Sequence, residues 1–211
     1  MMDFIMNNAN DLFNKTMEHL YISVIALVLA IIFSVPLGIL LTRTKRLAKV
    51  SLTIASVLQT IPTLAVLALM IPLFGVGKVP AIVALFFYVL LPILNNTIIG
   101  VESIDKNVRE AGKSMGMTEF QLMKGVELPL ALPMILSGIR LSSVYVISWA
   151  TLASFIGAGG LGDYIFNGLN LYDANMIITA TILITALALL VDFCLSRIEK
   201  WIVPKGLKVS R

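Results

Sequence analysis

Five stretches of the chain run uncharged for about the length that crosses a lipid bilayer, and this constrains the fold more than any other feature. Leu20–Thr42 holds 23 uncharged residues, Val50–Gly77 holds 28, Val79–Val101 holds 23, Leu141–Gly162 holds 22 and Ala174–Val191 holds 18. A helix rises about 1.5 Å per residue and the hydrocarbon core is about 30 Å thick, so about 20 residues span it. The runs predict helical spans over about 20–42, 52–74, 79–101, 130–157 and 174–195 of a single domain of 211 residues. Only 13% of residues are charged and 58% are hydrophobic. An ordinary soluble domain carries about 25% charge, and a core of this size would not hide so much apolar surface. The expected fold class is an all-α membrane protein with five transmembrane helices.

Lysine and arginine give the expected orientation. Arg43, Lys45, Arg46 and Lys49 lie between the first two spans, and Lys106, Arg109, Lys113 and Lys124 between the third and fourth. Arg197, Lys200, Lys205, Lys208 and Arg211 follow the fifth, which puts 13 of the 16 basic residues on one side. Lys15 and Lys78 fall on the other, and Arg140 precedes the fourth run. The positive-inside rule then predicts an outer N-terminus and a cytoplasmic C-terminus. Positive charge follows the first run, as in an anchor and not a cleaved signal peptide. The chain shows no internal repeat, which disfavours an inverted-repeat carrier. Prolines 36, 62, 72 and 92 stand in or beside the spans, as packing kinks or as bends along a central path.

Several chemistries are disfavoured. One cysteine, Cys194, and one histidine, His19, make neither a disulfide nor a metal cluster. The net charge of +4 flanks apolar runs, with no aromatic-interleaved basic patch, so nucleic acid is not an expected partner. Gly112-Lys113-Ser114 lacks the first glycine of a phosphate-binding loop, since Asn107 stands there. Gly157-Ala158-Gly159-Gly160-Leu161-Gly162 spells GxGxxG but follows a membrane helix and not a strand. It reads as a flexible turn.

The charged stretch 102–127 is the exception to the apolar pattern. At 100° per residue, Ile104, Val108, Ala111 and Met115 share one stripe, with Lys106, Arg109, Glu110 and Lys113 opposite. Gly116 can end this helix in a left-handed conformation. Thr118-Glu119-Phe120-Gln121 is a capping-box pattern for a second short helix, and Pro129 and Pro133 mark the turn into span four. Such a segment either rests on lipid headgroups or docks into a partner's groove, where Ala111 and Gly112 permit close approach.

This stretch resembles the cytoplasmic signature of permease subunits in bacterial ABC importers: E-A-A, three residues, G, nine residues, then I-x-L-P. Glu110, Ala111 and Gly112 supply the first element, Gly116 the glycine, and Val126-Glu127-Leu128-Pro129 the last. Gly112 replaces an alanine and Val126 an isoleucine. Leu58–Gly77, Leu90–Thr97, Glu127–Arg140 and Thr151–Ile165 look like the branch serving glycine betaine, carnitine and choline; methionine permeases share the signature and a similar glycine-rich turn. The N-terminal 50 residues add little to the resemblance.

The resemblance implies a type I importer permease of the methionine-permease-like fold, with no catalytic residue. Its coupling positions would be Glu110, Ala111, Gly112, Gly116 and Pro129. The implied partners are a second permease subunit, identical or paralogous, two cytoplasmic ATPase subunits that hold ATP and Mg, and an extracytoplasmic solute-binding protein. No cofactor is expected on this chain. The expected solute path carries Thr63 on span two, Tyr88 on span three, and Tyr145, Ser148, Trp149 and Thr151 over the cytoplasmic half to middle of span four. No carboxylate lies mid-span, the nearest being Asp192 late in span five, expected to pair or snorkel near the cytoplasmic face. Quaternary ammonium groups have no N–H and favour aromatic faces. Asn95 and Asn96 are expected to bond between helices. A stand-alone channel or secondary carrier, or a structural protein, stays open on the residues alone.

Overall fold

A computed structural model describes residues 2–203, apart from the side chain of Lys45; Lys205, Lys208 and Arg211 lie outside the described residues. The helices are α1 (Met2–Asn7), α2 (Ala9–Leu41), α3 (Lys45–Gln59), α4 (Thr63–Phe74), α5 (Lys78–Glu102), α6 (Lys106–Ser114), α7 (Glu119–Leu122), α8 (Leu128–Ala153), α9 (Gly162–Leu171) and α10 (Ala174–Ile202). A π turn, Met123–Glu127, joins α7 to α8. Among the described residues, four helical stretches are long and apolar enough to cross a membrane, or five when the bent pair α3–α4 counts as one. The burial pattern suits a lipid surround: Leu40, Leu73, Leu189 and Leu190 are exposed while Ser23, Ser34 and Ser142 are buried.

α5 is the central helix, packed on α2, α3, α4 and α8. Ala81, Ala84, Leu85, Val89 and Ile93 on it are fully buried. In lipid the gain from apolar burial is small, so contact depends on close backbone approach through small residues. α2 presents Ala26, Ala30, Ser34 and Gly38, four residues apart, as a buried stripe. A Cβ on Gly38 would stand 2.7 Å from Thr97 Cγ2, and one on Gly138 of α8 would stand 2.6 Å from Asn96 Cβ.

Several expectations change. α2 starts at Ala9, well before the uncharged run, because the polar residues of its first turns find partners: Lys15 pairs with Asp163 at 2.5 Å and Glu18 with Lys78 at 2.9 Å. The second expected span is two helices bent by 94°. Pro62 lacks an N–H and pushes the residue before it out of the α region, so α3 ends at Gln59 and α4 begins after Pro62. Pro129 and Pro133 make no turn: the helical path runs on from Glu119 to Ile156. The amide of Leu128 bonds five residues back, to Met123. This wider turn stands where Pro129 can donate nothing. Asn96 bonds within its own helix, its amide donating to the Pro92 carbonyl at 2.8 Å, because the interhelical space beside it is taken by the close approach of Gly138.

Candidate functional site

The 102–127 segment is built on its caps. Asp105 accepts the amide of Asn107 at the start of α6. Gly116 ends the turn after it with φ +81°, and the Thr118–Gln121 capping box is complete, at 3.3 and 2.8 Å. The expected apolar stripe does not turn inward. Val108 is 41% exposed, Met115 73% and Phe120 66%, and Glu110 and Ala111 are exposed beside them. Only Ile104, ahead of the helix, is buried. Gly112 departs from expectation: it is buried, and a Cβ there would stand 2.6 Å from Leu122 Cδ1, so its missing side chain admits the protein's own α7 and not a partner. The exposed side carries Glu110 among apolar groups.

What holds this segment to the bundle was not legible beforehand. Glu127, in the x position of V-x-L-P, is 1% exposed and lies between two guanidinium groups: Arg43, just past the end of α2, at 2.8 Å, and Arg109 of α6 at 3.3 Å. Arg109 also donates to the Val101 carbonyl at the end of α5. Arg43 reaches Glu119 at 3.2 Å, which in turn meets Lys113 at 2.8 Å. The hydrogen bond from Lys113 holds the Glu119 carboxyl below the usual carboxylate range, with Arg43 adding to the effect. One buried carboxylate thus ties α2, α6 and the π turn together.

Of the expected path residues, three meet. The Tyr88 ring stands edge-on to Trp149 at 5.1 Å between centroids, and Trp149 lies 5.2 Å from Tyr145 at a 33° tilt. Tyr88 is buried, Trp149 half-buried and Tyr145 exposed. Ser148 is exposed, and its hydroxyl is spent on the Val144 carbonyl of its own helix at 3.0 Å. Thr63 opens α4, two residues beyond Ile61, whose carbonyl accepts the Tyr88 hydroxyl. Thr151 is apart from the rings, its carbonyl under Gly162. The depth also needs correction: residues 145–151 fall in the last third of α8, Leu128–Ala153, away from the 102–127 segment and not in the half next to it. The stretch of α5 just before Pro92 gathers polar contacts from three helices. The carbonyls of Tyr88, Val89 and Leu90 accept from Gln59 of α3 (2.6 Å), Ser142 of α8 (3.2 Å) and Ser34 of α2 (3.3 Å).

At the opposite end of the bundle the glycine-rich turn is pinned, where a flexible turn was expected. Gly157, Gly159 and Gly160 take positive φ. The amide of Gly160 donates to Glu18 at 3.2 Å, and that of Gly77 to the Ile156 carbonyl at 2.9 Å. His19 is fully buried under the turn and bonds the Ile147 carbonyl at 2.8 Å. The N-terminal residues therefore help to build this end. Asp192 pairs as expected, but with a residue read beforehand only as a flank. Arg140 stands mid-way along α8 and bonds Asp192 at 3.0 and 3.1 Å and Glu199 at 2.8 Å. Among the described residues no group of His, Cys, Asp and Glu could hold a metal ion.

A family model described as the inner membrane component of binding-protein-dependent transport systems matches residues 30–207. The chain belongs to this family. It is a multi-pass membrane permease of the ABC transporters, a non-catalytic component of a larger transport system. It is 55% identical, over 99% of its length and 96% of the relative's, to the glycine betaine/carnitine/choline transport system permease protein OpuCB of Bacillus subtilis (strain 168). It is 53% identical, over 99% of its length and 95% of the relative's, to the carnitine transport permease protein OpuCB of Listeria monocytogenes. The permease fold matches a chain of the MetNI methionine ABC transporter, in an inward-facing conformation, with a TM-score of 0.84 at 24% identity, over 92% of this chain and 96% of that one.

Proposed function

We propose that the chain is the membrane-spanning permease subunit of an ATP-driven importer for quaternary-amine solutes of the glycine betaine, carnitine and choline class. The relatives at 52–55% identity carry these solutes in their names. The observation that carries the mechanism is α6, with Glu110 and Ala111 exposed beside Val108 and Met115 on a helix clamped at its base by Glu127. That helix is the coupling helix, seated in a groove of a cytoplasmic ATPase subunit. Two such ATPases hold ATP and Mg, and a second permease, identical or paralogous, completes the membrane part. An extracytoplasmic binding protein delivers the solute to the end that carries the glycine-rich turn. The N-terminus lies outside and the C-terminus in the cytoplasm, as the basic residues direct.

The solute path runs past Tyr88, Trp149 and Tyr145, with Thr63, Ser148 and Thr151 as polar neighbours. A trimethylammonium group gains cation–π attraction of about 0.5–2 kcal/mol per ring face. A zwitterion such as betaine needs no buried counter-charge, and Asp192, with both oxygens on Arg140, offers none. The test is purification with its native partners and reconstitution in liposomes. The expected result is ATP-dependent uptake of a quaternary-amine solute and ATPase activity stimulated by the loaded binding protein. Uptake without any ATPase subunit, or of methionine and no quaternary amine, would overturn the reading.

A further inference from the structure

A proline and a helix break leave two backbone carbonyls of this bundle without helical donors, and one pair of side chains satisfies both. Pro92 has no N–H, so the carbonyl of Tyr88, four residues earlier, loses its partner. Gln59, the last residue of α3, donates its side-chain amide there at 2.6 Å. At the break between α3 and α4, the amide of Ala65 donates to the Pro62 carbonyl and leaves that of Ile61 free. The Tyr88 hydroxyl donates to Ile61. Leu58, Val66, Leu69, Met70 and Phe87 line an apolar cavity of about 190 Å³ around these bonds, so water is a poor substitute for either donor.

We propose that Tyr88 and Gln59 are positioning residues of transport, which set the bend between α3 and α4 and pass a change at the Trp149–Tyr145 pair to that bend. The inference rests on the assignment of those rings to the solute path. The Tyr88 ring is 5% exposed and lies edge-on to Trp149. Rotation about χ2 leaves the hydroxyl on its axis. A tilt about χ1, which a solute pressing on Trp149 would impose, swings the hydroxyl off Ile61 and frees the junction. The 94° bend is then held by a bond that the solute itself can release.

The experiment uses the complete transporter in liposomes, with Cys194→Ser and spin labels at Val57 and Leu73, exposed positions on the two arms of the break. The parent should give a narrow distance distribution that shifts when solute-loaded binding protein and ATP are added. Tyr88→Phe keeps the ring and removes the hydroxyl. It should broaden the distribution, abolish the shift and lower kcat about tenfold, with KM within about twofold. Gln59→Met, similar in volume and without the donor, should do the same and serves if Tyr88→Phe fails to assemble. A narrow distribution with the parent's kcat in the variants overturns the proposal. So does a raised KM at unchanged kcat, which would make the hydroxyl a solute contact. If Trp149→Ala leaves KM unchanged, the solute path is wrong, and a narrow distribution in Tyr88→Phe would separately remove the brace.

Discussion

Glu127→Gln is the sharpest test of how the 102–127 segment is held. The change keeps the side-chain shape and removes the one negative charge between Arg43 at 2.8 Å and Arg109 at 3.3 Å. Breaking a fully buried ion pair by removing one partner costs about 3–5 kcal/mol, because the other charge stays buried and unpaired. Here the carboxylate is 1% exposed but the arginines are 37% and 30% exposed, so water solvates them in part. Arg43 also keeps Glu119 at 3.2 Å as a fallback. Discounting for that screening leaves about 2–3 kcal/mol. The assay is amide hydrogen exchange of residues 106–122 in the purified protein, read against α5 as an internal standard. At about 1.4 kcal/mol per decade, local opening should become about 30- to 140-fold more frequent. Arg43→Gln should do less, about 1–2 kcal/mol, because Arg109 still faces Glu127. Unchanged protection in Glu127→Gln, with a folded bundle, would show that the clamp contributes nothing and that caps and packing alone hold the segment.

Glu110→Arg should leave insertion and expression unchanged, since the side chain is exposed, while solute uptake falls and ATP hydrolysis loses its dependence on solute; full uptake in liposomes would count against the docking role. Trp149→Ala removes both ring contacts of the aromatic group and should raise the KM for a quaternary amine about 2- to 30-fold, measured by initial uptake rates; an unchanged KM takes Trp149 out of the path. Arg140→Met leaves Asp192 and Glu199, about two turns apart on α10, without their shared cation. It should lower thermal stability in detergent sharply, and Arg140→Met with Asp192→Leu and Glu199→Leu should recover much of the loss; equal loss in the triple variant would refute the charge argument. The tether to Lys113 lowers the Glu119 pKa, so its contribution is fully present above the carboxylate's ordinary range and lost as pH falls below that range through the depressed folded value. Exchange at 115–118, corrected for intrinsic rates, should rise on acidification in the parent and rise less in Lys113→Gln, where Arg43 alone still faces Glu119.

Local chemistry made much of this protein legible from sequence. The uncharged runs required helices in lipid, because no other open backbone arrangement satisfies its own polar groups there. The cap at Gly116 and the Thr118–Gln121 box depend on neighbours within a few residues, and the structure places each cap where the spacing put it. Three of the aromatic and hydroxyl path residues do assemble as one group, but a linear pattern could not tell Trp149, which meets two rings, from Ser148, which meets its own helix.

Tertiary structure decided whatever depends on partners far along the chain. Arg140 looked like a flank until Asp192, 52 residues on, folded against it. Glu127 looked like a variable letter until Arg43, 84 residues earlier, reached it. Gly112 looked like room for a partner until Leu122 filled it. The sequence by itself determined that the chain is a set of lipid-spanning helices with one charged amphipathic patch, because hydropathy and caps are local. That Pro92 strips the Tyr88 carbonyl of its helical donor was also written in it. Which side chain came to replace that donor depended on helix rotation and crossing, and these are set only when small residues such as Gly38 and Gly138 bring the helices together.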